Sequence, residues 1–518
     1  MNGAQALIRT LVDAGVDTCF TNPGTSEMHF VSALDAVPEM RAVLALFEGV
    51  ATGAADGYGR MADRPAATLL HLGPGLGNGL ANLHNARRAR TPIVNIVGDH
   101  ATYHKQYDAP LESDIESVAR TLSVWMAAPQ RPSDVAAAAV DAVVAARTAP
   151  GGIATLLLPA DASWEEGGEP AAPRATPGRT TTSASTIDLV AKALRAGEPA
   201  ALLVGGNATR ERALVAASRI ATTTGAKLLC ETFPARLERG SGRPAVERLG
   251  YLAEFTQAQL AGVRHLVLVD ARAPVSFFAY PGKPSVLVPD DCEVHELVLD
   301  TDDAASALEH LADALGATEA DVARHPASRP DAPTGALDGA AIAQALGALL
   351  PEGAIVADEA NTAGLWAPGA TAGAPPHDWL TLTGGAIGYG MPLATGAAVA
   401  CPDRPVINLE ADGSAMYTLQ ALWTQAREGL DVTTIVYDNR SYAILELELQ
   451  RVGADAAGPR ASSLFDLSTP PIDFAALAHG MGVPATRATT ADELTEQLAR
   501  ALAEPGPHLI DAIIPARL

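Results

Sequence analysis

Cysteine is scarce in this chain. Four residues in 518, Cys19, Cys230, Cys292 and Cys401, lie far apart with no Cys-x-x-Cys pair, which argues against a cysteine-bound zinc module and a disulfide framework. Positive charge is scarce too: 36 Lys and Arg face 60 Asp and Glu, for a formal charge of −24 and a pI near 4.8. A nucleic-acid surface needs clustered basic side chains, so the acidic balance is read as serving solubility. No apolar run approaches membrane-spanning length, and the start Met1-Asn2-Gly3-Ala4 lacks a basic segment followed by an apolar one. Nor is there a Gly-Lys-Ser/Thr loop of the phosphotransferase kind. These absences lead to the expectation of a reduced, cytoplasmic protein that binds neither nucleic acid nor membrane.

What is present suits buried parallel sheets packed by helices: 48% of residues are apolar, with Ala, Gly and Val prominent. The length predicts about three domains. β-rich runs at 18–20, 42–44, 67–70, 93–97 and 153–158 alternate with helical stretches, and again at 200–204, 227–229, 265–269 and 285–288. Such alternation implies an α/β fold of three domains, each an open parallel sheet with helices on both faces. Their spans are read as 1–165, 186–320 and 337–518. Two stretches without periodicity, 165–183 (rich in Pro, Gly and Thr) and 326–334, read as linkers.

In the last domain a strand at 405–409 runs into Glu410-Ala411-Asp412-Gly413-Ser414. A helix over 419–428 and a strand over 432–437 then deliver Asp438-Asn439-Arg440-Ser441-Tyr442. Ligands of open α/β sheets bind at the carboxyl ends of strands. There, Asp412, the Asn439 side chain and the Ser441 carbonyl make a hard oxygen set suited to Mg²⁺. Gly413 permits close backbone approach to a phosphate, and the helix start beyond Ser414 offers free N–H groups to an anion.

A second constellation lies in the first domain. Asn22-Pro23-Gly24-Thr25-Ser26-Glu27 follows one strand, Phe47-Glu48-Gly49 opens a helix, and His71-Leu72-Gly73-Pro74-Gly75-Leu76-Gly77-Asn78 follows another strand. One sheet edge thus collects Thr25, Glu48, His71 and Asn78. Taken singly, Glu48 reads as a solvated first-turn residue and His71 as a packed core imidazole.

Together these blocks resemble the thiamin diphosphate (ThDP) enzymes of the acetolactate synthase, pyruvate decarboxylase and benzoylformate decarboxylase type. The resemblance spans essentially the whole chain and includes Thr383-Gly384-Gly385-Ala386-Ile387-Gly388. Two positions depart from the family signature Gly-Asp-Gly followed by Asn-Asn: Ala411 stands for the first Gly and Asp438 for the first Asn. The resemblance implies ThDP held with Mg²⁺ by Asp412, Asn439 and Ser441, with Gly413, Ser414, Tyr442, Asn361 and Thr362 near the diphosphate. It further implies that Gly385 offers its carbonyl to the aminopyrimidine and that Ile387 bends the cofactor. The resemblance also implies that Glu48 hydrogen-bonds the pyrimidine nitrogen and so promotes ionisation of the thiazolium C2, and that Asn78 contacts the cofactor.

The implied reaction is non-oxidative decarboxylation of a 2-oxo acid through an enamine. Thr25 and His71 stand where benzoylformate decarboxylase has a Ser and a His that bind the carboxylate and move protons. Acetolactate synthases carry a Phe-Gln-Glu run whose Gln position is Leu111 here, and the decarboxylase's second active-site His should fall near Phe278-Ala279-Tyr280, where none stands. Carboligation or C–C cleavage of a 2-hydroxyketone is therefore the alternative, and a ThDP-binding subunit without turnover is a third reading that Glu48 argues against. Ile444 and Leu445 are expected to line the substrate pocket with Leu111 and Ala279. Glu448 either joins them or is solvated beside Glu446. Loops at 100–108, 277–282 and 453–464 are expected to set pocket identity. No flavin fingerprint is visible between Gly205 and Val288, so no FAD is expected. The resemblance also implies a homodimer or homotetramer with active sites between subunits.

Overall fold

The computed structural model describes residues 1–454 and 458–516; part of the 453–464 loop, 455–457, lies outside the described residues. Three sheets follow one another along the chain. The first contains β1 (Thr18–Thr21), β2 (Arg41–Leu44), β3 (Ala66–Leu70), β4 (Ile93–Asp99), β5 (Ser123–Ala127) and β6 (Ile153–Pro159). Their order is β2-β1-β3-β4-β6-β5, all parallel. β3, β4 and β6 are buried along their whole length, as expected where helices cover both faces.

The middle of the chain contributes β7 (Ala200–Val204), β8 (Lys227–Cys230), β9 (Leu237–Arg239), β10 (Glu247–Arg248), β11 (His265–Val269) and β12 (Glu293–Val298). Five form a parallel sheet in the order β10-β8-β7-β11-β12. β9 instead leaves it and pairs antiparallel with the strand His377–Thr381 of the last sheet. The strand expected at 285–288 is absent: Pro284 and Pro289 flank it and remove ladder donors, Val286 is exposed, and only an isolated bridge, Val275 to Val286, forms there. The edge position belongs to β12.

The third sheet contains β13 (Ile355–Glu359), β14 (His377–Thr381), β15 (Val406–Ala411), β16 (Val432–Asp438), β17 (Ala485–Ala488) and β18 (His508–Ile513). It is ordered β17-β18-β16-β15-β13-β14-β9. The helix expected over 419–428 is a separate, second helix, Ala421–Glu428; the first, Asp412–Thr418, opens directly on the strand end.

The first and last sheets share a core. Ala54 and Tyr58 on the Glu48–Ala62 helix pack with Leu393 and Ala397 on the Gly390–Ala400 helix. The contact is backbone to backbone: a Cβ on Gly57 would lie 2.0 Å from the Leu393 carbonyl oxygen, and one on Gly396 would lie 1.8 Å from that of Ala54. Arg60, 4% exposed, fixes the same junction. It pairs with Asp56 at 2.6 Å and donates to the Thr381 carbonyl (2.9 Å), the Tyr389 hydroxyl (2.8 Å) and the Ala235 carbonyl (3.1 Å). No described helix is long and apolar enough to cross a membrane.

Candidate active site

At the first sheet's carboxyl edge, β1 leads into the turn Thr25–Glu27 and β3 into the Leu72–Ala89 helix. Glu48 is the first residue of its helix but is not solvated: it is 7% exposed, accepts from Asn78 Nδ2 at 3.0 Å, and a Cβ on Gly75 would sit 3.0 Å from its Oε1. Asn82 ties this helix start to the last domain by donating both to the Gly49 carbonyl (2.9 Å) and to the Gly388 carbonyl (3.1 Å).

His71 is part-exposed, and its Nδ1 lies 2.9 Å from Oε2 of Glu27, whose carboxylate is buried. Glu27 also accepts from the Gly24 N–H (2.8 Å) and the Ser26 hydroxyl (2.6 Å). Glycine is required at 24, where a Cβ would meet the His71 ring at 2.1 Å, and at 98, where it would meet Glu27 at 1.8 Å. Glu27 is thus a site residue given no role from the sequence; its place at the end of the Asn-Pro-Gly-Thr-Ser-Glu run was the available signal. With Nδ1 engaged, Nε2 is the nitrogen left for other partners.

His71 borders a cavity of about 250 Å³ lined also by Thr25, Ser26, Leu72, His100, Ala101, Tyr103, His104, Leu111, Ala160 and Trp164. His100 Nε2 is buried without a hydrogen bond among the described residues. Lys105 staples the loop that carries these groups, binding Asp99 at 2.7 Å and Glu112 at 3.0 Å. A larger cavity, about 460 Å³, lies along β5 among Arg120, Val124 and Met126 and contains none of the expected site residues.

At the last sheet's edge, β15 and β16 pair through Ala411 and Tyr437, so the two motif halves meet. Asp412, 3% exposed, accepts from the Gly413 N–H (2.7 Å) and the Arg440 N–H (2.6 Å), while Asn439 Oδ1 accepts from the Ser441 N–H (2.8 Å). Burial, with the Asp438 charge adding, pushes the Asp412 carboxyl up to about 7. A divalent cation would reverse that shift, and Asp412 makes no ion pair among the described side chains. The donor set is all oxygen, so the residues present fit Mg²⁺. The Tyr442 ring covers Gly413, where a Cβ would lie 2.2 Å away. Asn361, with φ +51°, donates to the Ser414 hydroxyl at 3.2 Å, and Thr362 follows in the same turn.

Gly385 has φ +74°, a backbone that favours glycine. Its loop is clasped by the first domain: His84 Nε2 lies 3.1 Å from the Gly384 carbonyl, and Asn85 bonds both the N–H (3.2 Å) and the carbonyl (2.8 Å) of Ala386. From the other side the buried Glu359 accepts from the N–H groups of Gly388 (2.9 Å), Tyr389 (2.7 Å) and Gly390 (2.5 Å). Ile387 packs partly buried against the shared core.

The expected pocket residues are less united. Ile444 is half-buried, Leu445 and Ala279 are exposed, and none of the three borders the His71 cavity as Leu111 does. Glu448 is not solvated beside the exposed Glu446; it is half-buried, accepts from the Tyr280 hydroxyl at 2.7 Å and lies 3.7 Å from Arg451.

Comparison with known proteins fits this architecture. The thiamine pyrophosphate enzyme N-terminal TPP binding domain matches residues 1–119, and the C-terminal TPP binding domain matches 362–512. A Mycobacterium tuberculosis protein provisionally named acetolactate synthase large subunit IlvX is 63% identical over 518 residues, covering 100% of this chain and 99% of that one. The chain belongs to the thiamine pyrophosphate enzymes. A benzoylformate decarboxylase of Pseudomonas aeruginosa is 28% identical over 533 residues, 96% of each chain. A Rhodococcus jostii ThDP-dependent 4-hydroxybenzoylformate decarboxylase superposes with a TM-score of 0.87 over 100% of both chains at 24% identity, a likeness of fold. This ThDP enzyme therefore has relatives named for both decarboxylation and acetolactate synthesis.

Proposed function

We propose that this ThDP enzyme decarboxylates a small 2-oxo acid without oxidation. One observation carries the choice: the buried Glu27 orients His71 toward a cavity bordered by Thr25, on the same edge as Glu48. A carboxylate holding one ring nitrogen fixes the imidazole for proton transfer at the other. Bound ThDP supplies the electron sink for the pair left behind as CO₂ departs.

The chain's own residues divide the remaining work. Asp412, Asn439 and the Ser441 carbonyl would hold Mg²⁺, and Gly413, Ser414, Tyr442, Asn361 and Thr362 would receive the diphosphate. The Gly385 carbonyl would accept from the aminopyrimidine and Ile387 would pack against the cofactor. Glu48, positioned by Asn78, holds a proton at the pyrimidine nitrogen. Thr25 and His71 receive the substrate carboxylate, and His71 Nε2 delivers the proton that completes an aldehyde. Leu111 gives the cavity an apolar wall, with Ala279, Ile444, Leu445 and Glu448 farther out. In this reading 1–165 binds the pyrimidine and 337–518 the diphosphate, 186–320 joins them, and a homodimer or homotetramer works in the cytoplasm.

The alternative is a carboligase or C–C lyase. It is favoured by Ala279, which presents no proton donor, and by the name of the 63% identical relative. Product analysis by NMR decides. Pure protein with ThDP and Mg²⁺ is given pyruvate, branched 2-oxo acids or benzoylformate, each with and without an aldehyde. Free aldehyde and CO₂ are expected from one of them; a hydroxyketone alone, or no turnover without an acceptor, would establish the alternative.

A further inference from the structure

The central sheet carries a cluster that the ThDP chemistry does not use. His265 opens β11 and Glu293 opens β12; the two are register partners, and His295 lies two residues further along β12. Residues two apart on a strand point to the same face, so all three side chains converge at one corner of the sheet. His265 is 8% and His295 5% exposed, while the Glu293 side chain is 68% exposed.

His265 Nδ1 lies 3.0 Å from His295 Nε2 and 3.8 Å from Glu293 Oε2, and one donor atom from each residue falls within 4.8 Å of the others. A tetrahedral ion with bonds of about 2.05 Å separates its donors by about 3.3 Å, between the two measured edges. His265 Nε2 lies 3.0 Å from Glu198 Oε2, the carboxylate–histidine arrangement that fixes a ligating imidazole, with Nδ1 turned toward His295. Glu293, whose Oε1 lies 4.0 Å from His295 Nδ1, makes no hydrogen bond to either imidazole, so its carboxylate is free to ligate.

We infer that His265, His295 and Glu293 form a binding site for a divalent transition-metal ion of the zinc class. Two imidazoles and one carboxylate select such an ion over Mg²⁺, which favours oxygen ligands. The exposed Glu293 is the entry path, and solvent completes the fourth position. Because the site lies at the amino ends of the strands, opposite the ligand-binding ends, its bond ties edge strand β12 to β11 rather than serving turnover.

The test uses the full chain loaded with ThDP and Mg²⁺, stripped of transition metal and titrated with Co²⁺. One equivalent is expected to give the intense visible bands of four-coordinate cobalt, abolished by stoichiometric Zn²⁺. Glu293→Gln, an exposed change that spares folding, should weaken Co²⁺ binding at least tenfold, and His295→Gln should abolish the bands. His100→Gln should leave them intact, which separates this site from the imidazoles of the His71 cavity. Bands that survive both Glu293→Gln and His295→Gln, or no bands with one equivalent of Co²⁺, would overturn the assignment.

Discussion

The carboxyl edges of the first and last sheets are built from opposite materials. The last presents oxygen atoms, the Asp412 carboxylate and the Asn439 amide oxygen, held by the N–H groups of Gly413, Arg440 and Ser441. The first presents a buried carboxylate on an imidazole, a second glutamate on an amide, and a cavity of ring nitrogens and apolar walls. Hard oxygens hold a cation, and a bound cation keeps a carboxylate such as Asp412 ionised, whereas an imidazole held at one nitrogen can pass a proton through the other. On the proposed reading the difference separates anchoring from proton handling, the two edges being joined by Asn82 and by the clasp on the 384–386 backbone.

The comparison breaks if changes at the two edges have the same effect. Asp412→Asn should have the largest: ThDP affinity in the presence of Mg²⁺, read by calorimetry, should fall by about 100-fold or more, since a charged ligand is lost from a buried cation site. Glu27→Gln should leave cofactor affinity within a few-fold and lower kcat/KM by about 10- to 100-fold, as lost orientation of an active imidazole does. Leu111→Ala sharpens the picture on a smaller scale: KM should rise less than about tenfold, the range expected for removing apolar contact with a bound substrate, with kcat little changed.

A control lies outside both edges. Burial pushes the Glu231 carboxyl up to about 7 from an ordinary value of 4.5. Between those values the folded chain keeps a proton that the unfolded chain releases, so this group lowers stability as pH rises through the window, by on the order of 3 kcal/mol in total. Glu231→Gln should flatten that part of the pH–stability curve, measured by denaturant unfolding at pH 5 and 7.5, and leave cofactor affinity unchanged.

Much of the anchoring edge was legible in the sequence, because short contiguous motifs at strand ends carry it: Asp412 and Asn439 fall where the strand-turn-helix pattern puts them. The alternation of strands and helices likewise pointed to three sheets, which are parallel except at β9. Long-range partners were not legible. Glu27 reads as a turn residue until β3 brings His71 beside it, and Glu359 reads as strand until three N–H groups 29 to 31 residues away converge on it. Strand β12 is polar and alternating and signals more weakly than the apolar 285–288, because periodicity registers hydrophobicity more strongly than the prolines that forbid pairing. The strap β9 gave no signal, because three residues crossing between sheets have no period.

The division of labour is tested most directly by proton exchange at C2 of bound ThDP in Glu48→Gln, measured by quenched-flow NMR beside Asp412→Asn at saturating cofactor. The account predicts that Glu48→Gln binds ThDP within a few-fold of the unaltered protein while exchange slows by at least about 10³-fold, and that Asp412→Asn, once saturated, exchanges at close to the normal rate. Normal exchange in Glu48→Gln, or equal slowing in both variants, would contradict it.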